Sequence, residues 1–151
     1  MHEAFPFSVD LMVRGYELDA WNHVNNAVYM QWLEHARWEM SRRLQLDMFA
    51  GGGVLPVIRY VDLDFRTETR LGDSLRVSLW PRSLGRTSFT LGGAIRILDT
   101  DPPHDRAGNL ALVSTQVLTC IEPGHGKVAV PEAWRAMFPE GDPGFEPPKE
   151  V

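Results

Sequence analysis

The feature that most restricts the fold of this chain is a run from Ala27 to Gly51 with no proline or glycine before its end. Within it Met30, Leu33, Ala36, Met40 and Leu44 recur at three- and four-residue steps. That spacing lines apolar side chains along one face of a long α-helix, and Asn25 or Asn26 is a suitable N-cap for it. A striped helix must be covered, and the rest of the chain offers strands to cover it. Residues 8–17 set Val9, Leu11, Val13 and Gly15 against Asp10, Met12, Arg14 and Tyr16, the two-residue period of a strand. After the breaker Gly51-Gly52-Gly53, Val61, Leu63 and Phe65 alternate with Asp62, Asp64 and Arg66. A turn at Leu71-Gly72-Asp73 follows, then Leu75, Val77 and Leu79 alternate with Ser74, Arg76 and Ser78. Beyond Leu84-Gly85 the pattern resumes at Phe89, Leu91, Ile95 and Ile97, and a loop over 99–109 precedes a β-branched run over 110–121. The order is strand, long helix, four strands, which predicts an α+β fold with a five-stranded antiparallel sheet on one helix. A single helix leaves a sheet edge or face open, so a homodimer or homotetramer is expected.

The chain's 151 residues and 44% hydrophobic content suit one globular domain, placed at 1–138. Residues 139–151 carry Pro139, Pro143, Pro147 and Pro148 among acidic residues and glycine, which predicts a loose tail. Cys120 is the sole cysteine, and the first residues lack a basic stretch followed by an apolar run, so a reducing, cytoplasmic setting is expected. No apolar run reaches the roughly 18 residues that cross a bilayer, so no membrane partner is expected. A net charge of −5 disfavours nucleic acid, whose binding needs clustered cations.

The densest polar cluster is Asp19-Ala20-Trp21-Asn22-His23-Val24-Asn25-Asn26, where a strand gives way to the helix. A helix N-terminus carries unpaired N–H groups and partial positive charge, so it polarises a carbonyl and stabilises a developing oxyanion. A nearby carboxylate, Asp19, can then attack or activate water. Thioesters suit so modest a site, because thiolate leaves readily, and neither metal nor cofactor is required. Each residue also has a plainer reading. Asp19 alone is an ordinary capping residue, His23 either bonds a loop carbonyl or orients Asp19 or water, and Asn25 and Asn26 serve as cap and turn, which leaves Asn26 its backbone N–H. Trp21, Tyr29 and Trp32 line a pocket or pack a core or dimer contact. Glu34 with Arg37 reads as an ion pair, and His35 with Glu39 lacks a third metal ligand. There is neither a phosphate loop nor a G-x-S-x-G elbow, and Cys120 reads as core.

The segments Val13-Arg14-Gly15-Tyr16-Glu17-Leu18-Asp19, His23-Val24-Asn25-Asn26-Ala27-Val28-Tyr29-Met30 and Glu34-His35-Ala36-Arg37 resemble the hot-dog thioesterases. The likeness is to the 4-hydroxybenzoyl-CoA thioesterase-like group and its acyl-carrier-protein relatives. It implies a sheet wrapped around the helix and hydrolysis of an acyl-CoA or acyl-carrier-protein thioester. It further implies Asp19 as nucleophile or general base and the Asn26 N–H as a carbonyl contact. Phe65-Arg66-Thr67-Glu68-Thr69 is similar to a strand end in plant-type acyl-carrier-protein thioesterases, which adds Glu68 and His23 as secondary candidates. Those enzymes have asparagine two positions after the aspartate, where this chain has Trp21, with Asn22 one step later. Arg82, Arg86, Thr87 and Ser88 form either an ordinary basic hairpin or a surface for the phosphates or pantetheine of CoA or a carrier. A hot-dog hydratase or dehydratase, and a non-catalytic acyl-CoA-binding module, are the competing readings.

Overall fold

A computed structural model describes residues 5–48 and 53–138. The expected tail, 139–151, lies outside the described residues, as do Gly51 and Gly52 of the expected breaker. Helix α1 spans Asn26–Arg43, with Asn25 as N-cap; its side-chain oxygen accepts the Ala27 N–H at 3.5 Å. Arg42 and Arg43 occupy the last turn, where cations suit the helix dipole.

The helix stops well before Gly51. Gln45 and Asp47 turn the chain with φ of 55° and 59°, and the Ser41 hydroxyl takes the Met48 N–H at 2.9 Å. Burial of Leu46 and Met48 outweighs the cost of left-handed residues that are not glycine. The buried face also differs from the expected stripe. Leu33, Ala36 and Met40 are core, but Tyr29 and Trp32 displace Met30, which is 44% exposed. Large aromatic area won the position.

Five long strands form one antiparallel sheet: β1 Phe7–Met12, β2 Leu55–Phe65, β3 Ser74–Leu84, β4 Ser88–Asp99 and β5 Leu110–Glu122, in the spatial order β1-β3-β4-β5-β2. A two-residue β6, Gly126–Lys127, adds to β5. The inward face carries Leu75, Val77 and Leu79 from β3, Leu91, Ile95 and Ile97 from β4, and Leu112 and Leu118 from β5, all closed to solvent against α1. This is the α+β hot-dog arrangement, a sheet around one long helix. A short helix α2, Glu132–Arg135, brings Trp134, Met137 and Phe138 into the same core. Phe89 packs edge-on against Trp134 and Phe138.

Strand β1 is shorter than the alternation over 8–17 predicts. It ends at Met12, and Gly15–Glu17 form a 3-10 turn. The cause is Glu17, which is buried: its carboxylate accepts the Arg14 N–H at 2.7 Å and the Trp32 indole N–H at 2.7 Å. Continuing the strand would break both bonds. Strand β2 is an edge, paired to β5 alone among the described residues. Val61 and Leu63 are half-buried as the alternation requires, while Phe65 is 46% exposed.

Candidate active site

Asp19 organises the loop that leads into α1. Its Oδ1 accepts the backbone N–H of Trp21 at 2.8 Å and of His23 at 3.1 Å, and its own N–H donates to the His23 carbonyl at 2.7 Å. Asn22 takes a φ of 60°, which asparagine tolerates better than most residues. Leu18 bridges Val24, and the Asn25 N–H donates to the Glu17 carbonyl at 2.9 Å. Buried Glu17 thus fixes both ends of this loop. Asn26 begins the helix, and its N–H meets no acceptor among the described residues. A free donor at the positive end of an 18-residue helix is what a carbonyl oxygen needs to be polarised.

The second arm of the site is the segment after β2. His23 Nε2 lies 3.0 Å from Glu68 Oε2, and Arg70 pairs with the other Glu68 oxygen. The Arg70 guanidinium, helped by the charges of His23 and Arg106, holds the Glu68 carboxyl below the usual carboxylate range. Glu68 is therefore ionised at neutral pH. Its loop is clamped from beneath. Tyr29 Oη and Thr69 Oγ1 share a hydrogen bond of 2.7 Å, and burial raises the Tyr29 phenol, so it stays neutral. Arg106 donates to the Glu68 carbonyl at 3.1 Å and to the two Asp73 oxygens at 2.5 and 3.0 Å. Asp73, fully buried, also accepts the Arg70 N–H at 2.8 Å. Gly72, at φ +91°, lets this loop press on its neighbour: a Cβ there would collide with the Asp101 carbonyl oxygen.

These two arms enclose a cavity of about 220 Å³ lined by His23, Asn26, Tyr29, Phe65, Thr67 and Glu68 among others. Tyr29 and Phe65 meet edge to face at 5.1 Å and form its apolar wall. The cavity therefore joins a backbone donor, a histidine–carboxylate pair and an apolar surface. Asp19 is exposed and stands outside the lining, one oxygen held by the loop and the other bonded to no described residue.

Of the residues singled out in the sequence, His23, Asn26 and Glu68 come together, with Asp19 on the same loop as two of them. Arg82, Arg86, Thr87 and Ser88 do not join them. They lie at the β3–β4 turn, a full 11-residue strand away, on the order of 30 Å. There Arg82 donates to Thr115 Oγ1 at 2.9 Å, and the Arg86 carbonyl accepts from Val130 and Arg135. Trp32 belongs to the core, Tyr29 lines the cavity, and Trp21 is 80% exposed. Arg37 does not pair with Glu34 within 4 Å; its guanidinium donates to Gln116 Oε1 at 2.5 Å. Arg42 and Arg43 occupy the carboxylate of Glu39, at 2.8 and 3.1 Å. Burial pushes the Cys120 thiol up to about 11, as for a core residue. No helix among the described residues is long and apolar enough to cross a membrane. The residues that sequence reasoning missed are Glu17, Thr69, Asp73 and Arg106; only Gly72-Asp73 gave a local signal, and it was that of a turn.

The family model of the thioesterase superfamily matches residues 22–103, which include His23, Asn26, Glu68 and Asp73. Over 88 residues the chain is 30% identical to the long-chain acyl-CoA thioesterase FadM of Escherichia coli (strain K12), spanning 58% of this chain and 67% of that one. It is 38% identical over 71 residues to a chloroplastic acyl-acyl carrier protein thioesterase of Arabidopsis thaliana, 46% of this chain and 37% of that protein. A Thermus thermophilus thioesterase solved with coenzyme A and zinc superimposes with a TM-score of 0.73 at 29% identity, covering 88% of this chain and 97% of the other.

Proposed function

The chain belongs to the thioesterase superfamily, and from that premise we propose that it hydrolyses an acyl thioester of CoA or acyl-carrier protein through Asp19, with the Asn26 N–H as oxyanion contact. The observation that carries this reading is the unpaired Asn26 N–H at the positive end of α1, opening into the cavity that His23 and Glu68 share. The acyl carbonyl oxygen accepts from Asn26. The free Asp19 oxygen then attacks the carbonyl carbon, or takes a proton from a water that attacks it. Negative charge gathers on the oxygen facing Asn26, where the helix end stabilises it. Collapse breaks the C–S bond and releases thiol; if Asp19 has attacked, water cleaves the acyl-aspartyl anhydride in a second step. His23, held by ionised Glu68, positions the water or the departing sulfur.

Glu68 acts in its anionic form in this reading. Glu68→Gln is expected to lower kcat several-fold with little change in KM, as for a group that works mainly in the transition state. Activity falls as pH drops through the Glu68 pKa, which Arg70 depresses. In Arg70→Ala that pKa rises, so the acid limb of the kcat/KM profile moves to higher pH. Loss of the Asp19 charge adds a larger acid limb of its own, so the deciding variant is Glu68→Gln, whose wild-type kcat would remove Glu68 from the mechanism.

The same reading includes a homodimer formed across β2. An 11-residue edge bearing exposed Val57 and Tyr60 leaves backbone donors and apolar area uncovered. Antiparallel pairing of two such edges brings the Phe65 end of one strand to the Leu55 end of the other. The second copy's β3–β4 turn then lies at the same end as the cavity, which favours Arg82 and Arg86 as carrier contacts across the boundary. Sedimentation should give a dimer that Tyr60→Asp weakens by tenfold or more, on the order of 1.4 kcal/mol. A monomer at micromolar concentration refutes the assembly.

A further inference from the structure

On α1, Asn26, Met30, Leu33 and Arg37 recur at four-, three- and four-residue steps, so they lie in line along one side of the helix. Facing them runs the inward side of β2. Phe65 pairs with Leu112 and Val61 with Gln116, and a bulge at Arg59 keeps Ile58 on the same face, opposite Leu118. These two rows bound a seam. At one end lies the cavity at Asn26 and Phe65, and at the other a separate space of about 10 Å³ bounded by Arg37, Met30, Leu33, Ile58 and Val61.

Beyond the polar residues of the cavity the two rows are apolar at Met30, Leu33, Val61 and Ile58, until Arg37 changes their character. Arg37 is 9% exposed, and its guanidinium donates to a neutral amide, Gln116 Oε1. Gln116 is fully buried, and its Nε2 has no partner among the described residues. Burial holds the Arg37 guanidinium below its ordinary pKa, against the opposing pull of Glu34. A hydrocarbon tail pushed past this pair would strip a buried cation and amide of contacts and return none, which is costly.

We infer that the α1–β2 seam holds the acyl chain and that Arg37 with Gln116 is its end stop, selecting medium-length acyl groups. The inference rests on the thioester carbonyl being held at Asn26. The helix from Asn26 to Arg37 rises about 16 Å, and the arginine side chain leans back toward the N-terminus, so a chain that parts the two rows would meet Arg37 after roughly eight to ten carbons.

The test uses S-(2-oxoalkyl)-CoA analogues, which keep a carbonyl for the Asn26 N–H but cannot be hydrolysed, with alkyl chains from butyl to hexadecyl, titrated calorimetrically into the full chain. Affinity should rise roughly fourfold per methylene and stop rising near the decyl member. In Arg37→Met and in the double variant Arg37→Met, Gln116→Leu the rise should continue through dodecyl and tetradecyl. In Val61→Trp, which adds bulk to the β2 wall beside Arg37, it should stop earlier. An unbroken climb to hexadecyl in the wild type overturns the inference, as does an unmoved stop in the folded variants. Thiol release from the matching thioesters is measured separately. Release with no length stop refutes the seam alone; a length stop with no release supports the seam and refutes the hydrolytic reading alone.

Discussion

Asp19→Asn is expected to lower kcat by about a thousandfold, the middle of the range for a positioned acid–base group, while KM and melting temperature stay close to wild type. Two facts separate this variant from a folding defect. The Asp19 Oδ1 contacts are both accepted bonds, from the Trp21 and His23 N–H groups, and the Asn amide oxygen can accept both. The loop thus keeps its geometry and His23 keeps its place. What disappears is the charge and basicity of the second oxygen, which meets no described residue and is the one free to attack. Asp19→Ala is the poorer test, because it also releases two N–H groups and loosens the loop. Steady-state thiol release from a substrate that saturates the wild type decides the matter. Undiminished release from Asp19→Asn would make Asp19 a loop-forming residue and nothing more.

The distinction matters because Asp19 stands outside the cavity lining in the single chain. An antiparallel dimer across β2 would put a second subunit beside that rim and turn an exposed carboxylate into one at a boundary. The Asp19 reading and the dimer reading therefore support each other, although each has its own measurement.

The sheet and its long helix were legible because two-residue and 3.6-residue periods write themselves into a single sequence, as in Leu75, Val77 and Leu79 or Leu33, Ala36 and Met40. The sites of misreading are positions where a side chain overrode the local period. Glu17 ended β1 early by taking the Arg14 and Trp32 N–H groups, and Ser41 helped to end α1 early through Met48. Alternation cannot register either, since both depend on a hydrogen bond to a partner set by the fold. The same holds within the site. Asp19 to Asn26 is one contiguous stretch, so its density was visible, and Glu68 entered through a resemblance. Arg106 was invisible: it lies in a loop read as a connection, 33 positions from Asp73 and 38 from Glu68, yet it binds both. Arg37 was assigned to its helical neighbour Glu34, when its hydrogen bond goes 79 positions away to Gln116.

Arg106 and Asp73 yield the largest stability effect expected in the chain. Asp73→Asn keeps the shape of the side chain but turns an amide donor toward a guanidinium that is itself all donor, and leaves that cation buried without its counter-charge. Removing one partner of such a pair costs about 3–5 kcal/mol, which for a chain of this length lowers the melting temperature by about 10 °C. The pair as a whole need not be stabilising. In the double variant Asp73→Leu, Arg106→Met, apolar side chains replace both charges, and much of the lost stability should return. Activity should not return with it. Arg106 also donates to the Glu68 carbonyl, and Asp73 also accepts the N–H of Arg70, the residue that holds Glu68 ionised. Without them the Glu68 carboxylate loses its fixed place beside His23, and kcat should remain several-fold below wild type, as in Glu68→Gln. Melting curves and kcat measured on the same preparations check both halves. A double variant that melts like the wild type and turns over like it would show that the clamp serves the fold alone. One that melts like the wild type but turns over slowly would assign Asp73 and Arg106 to the positioning of Glu68.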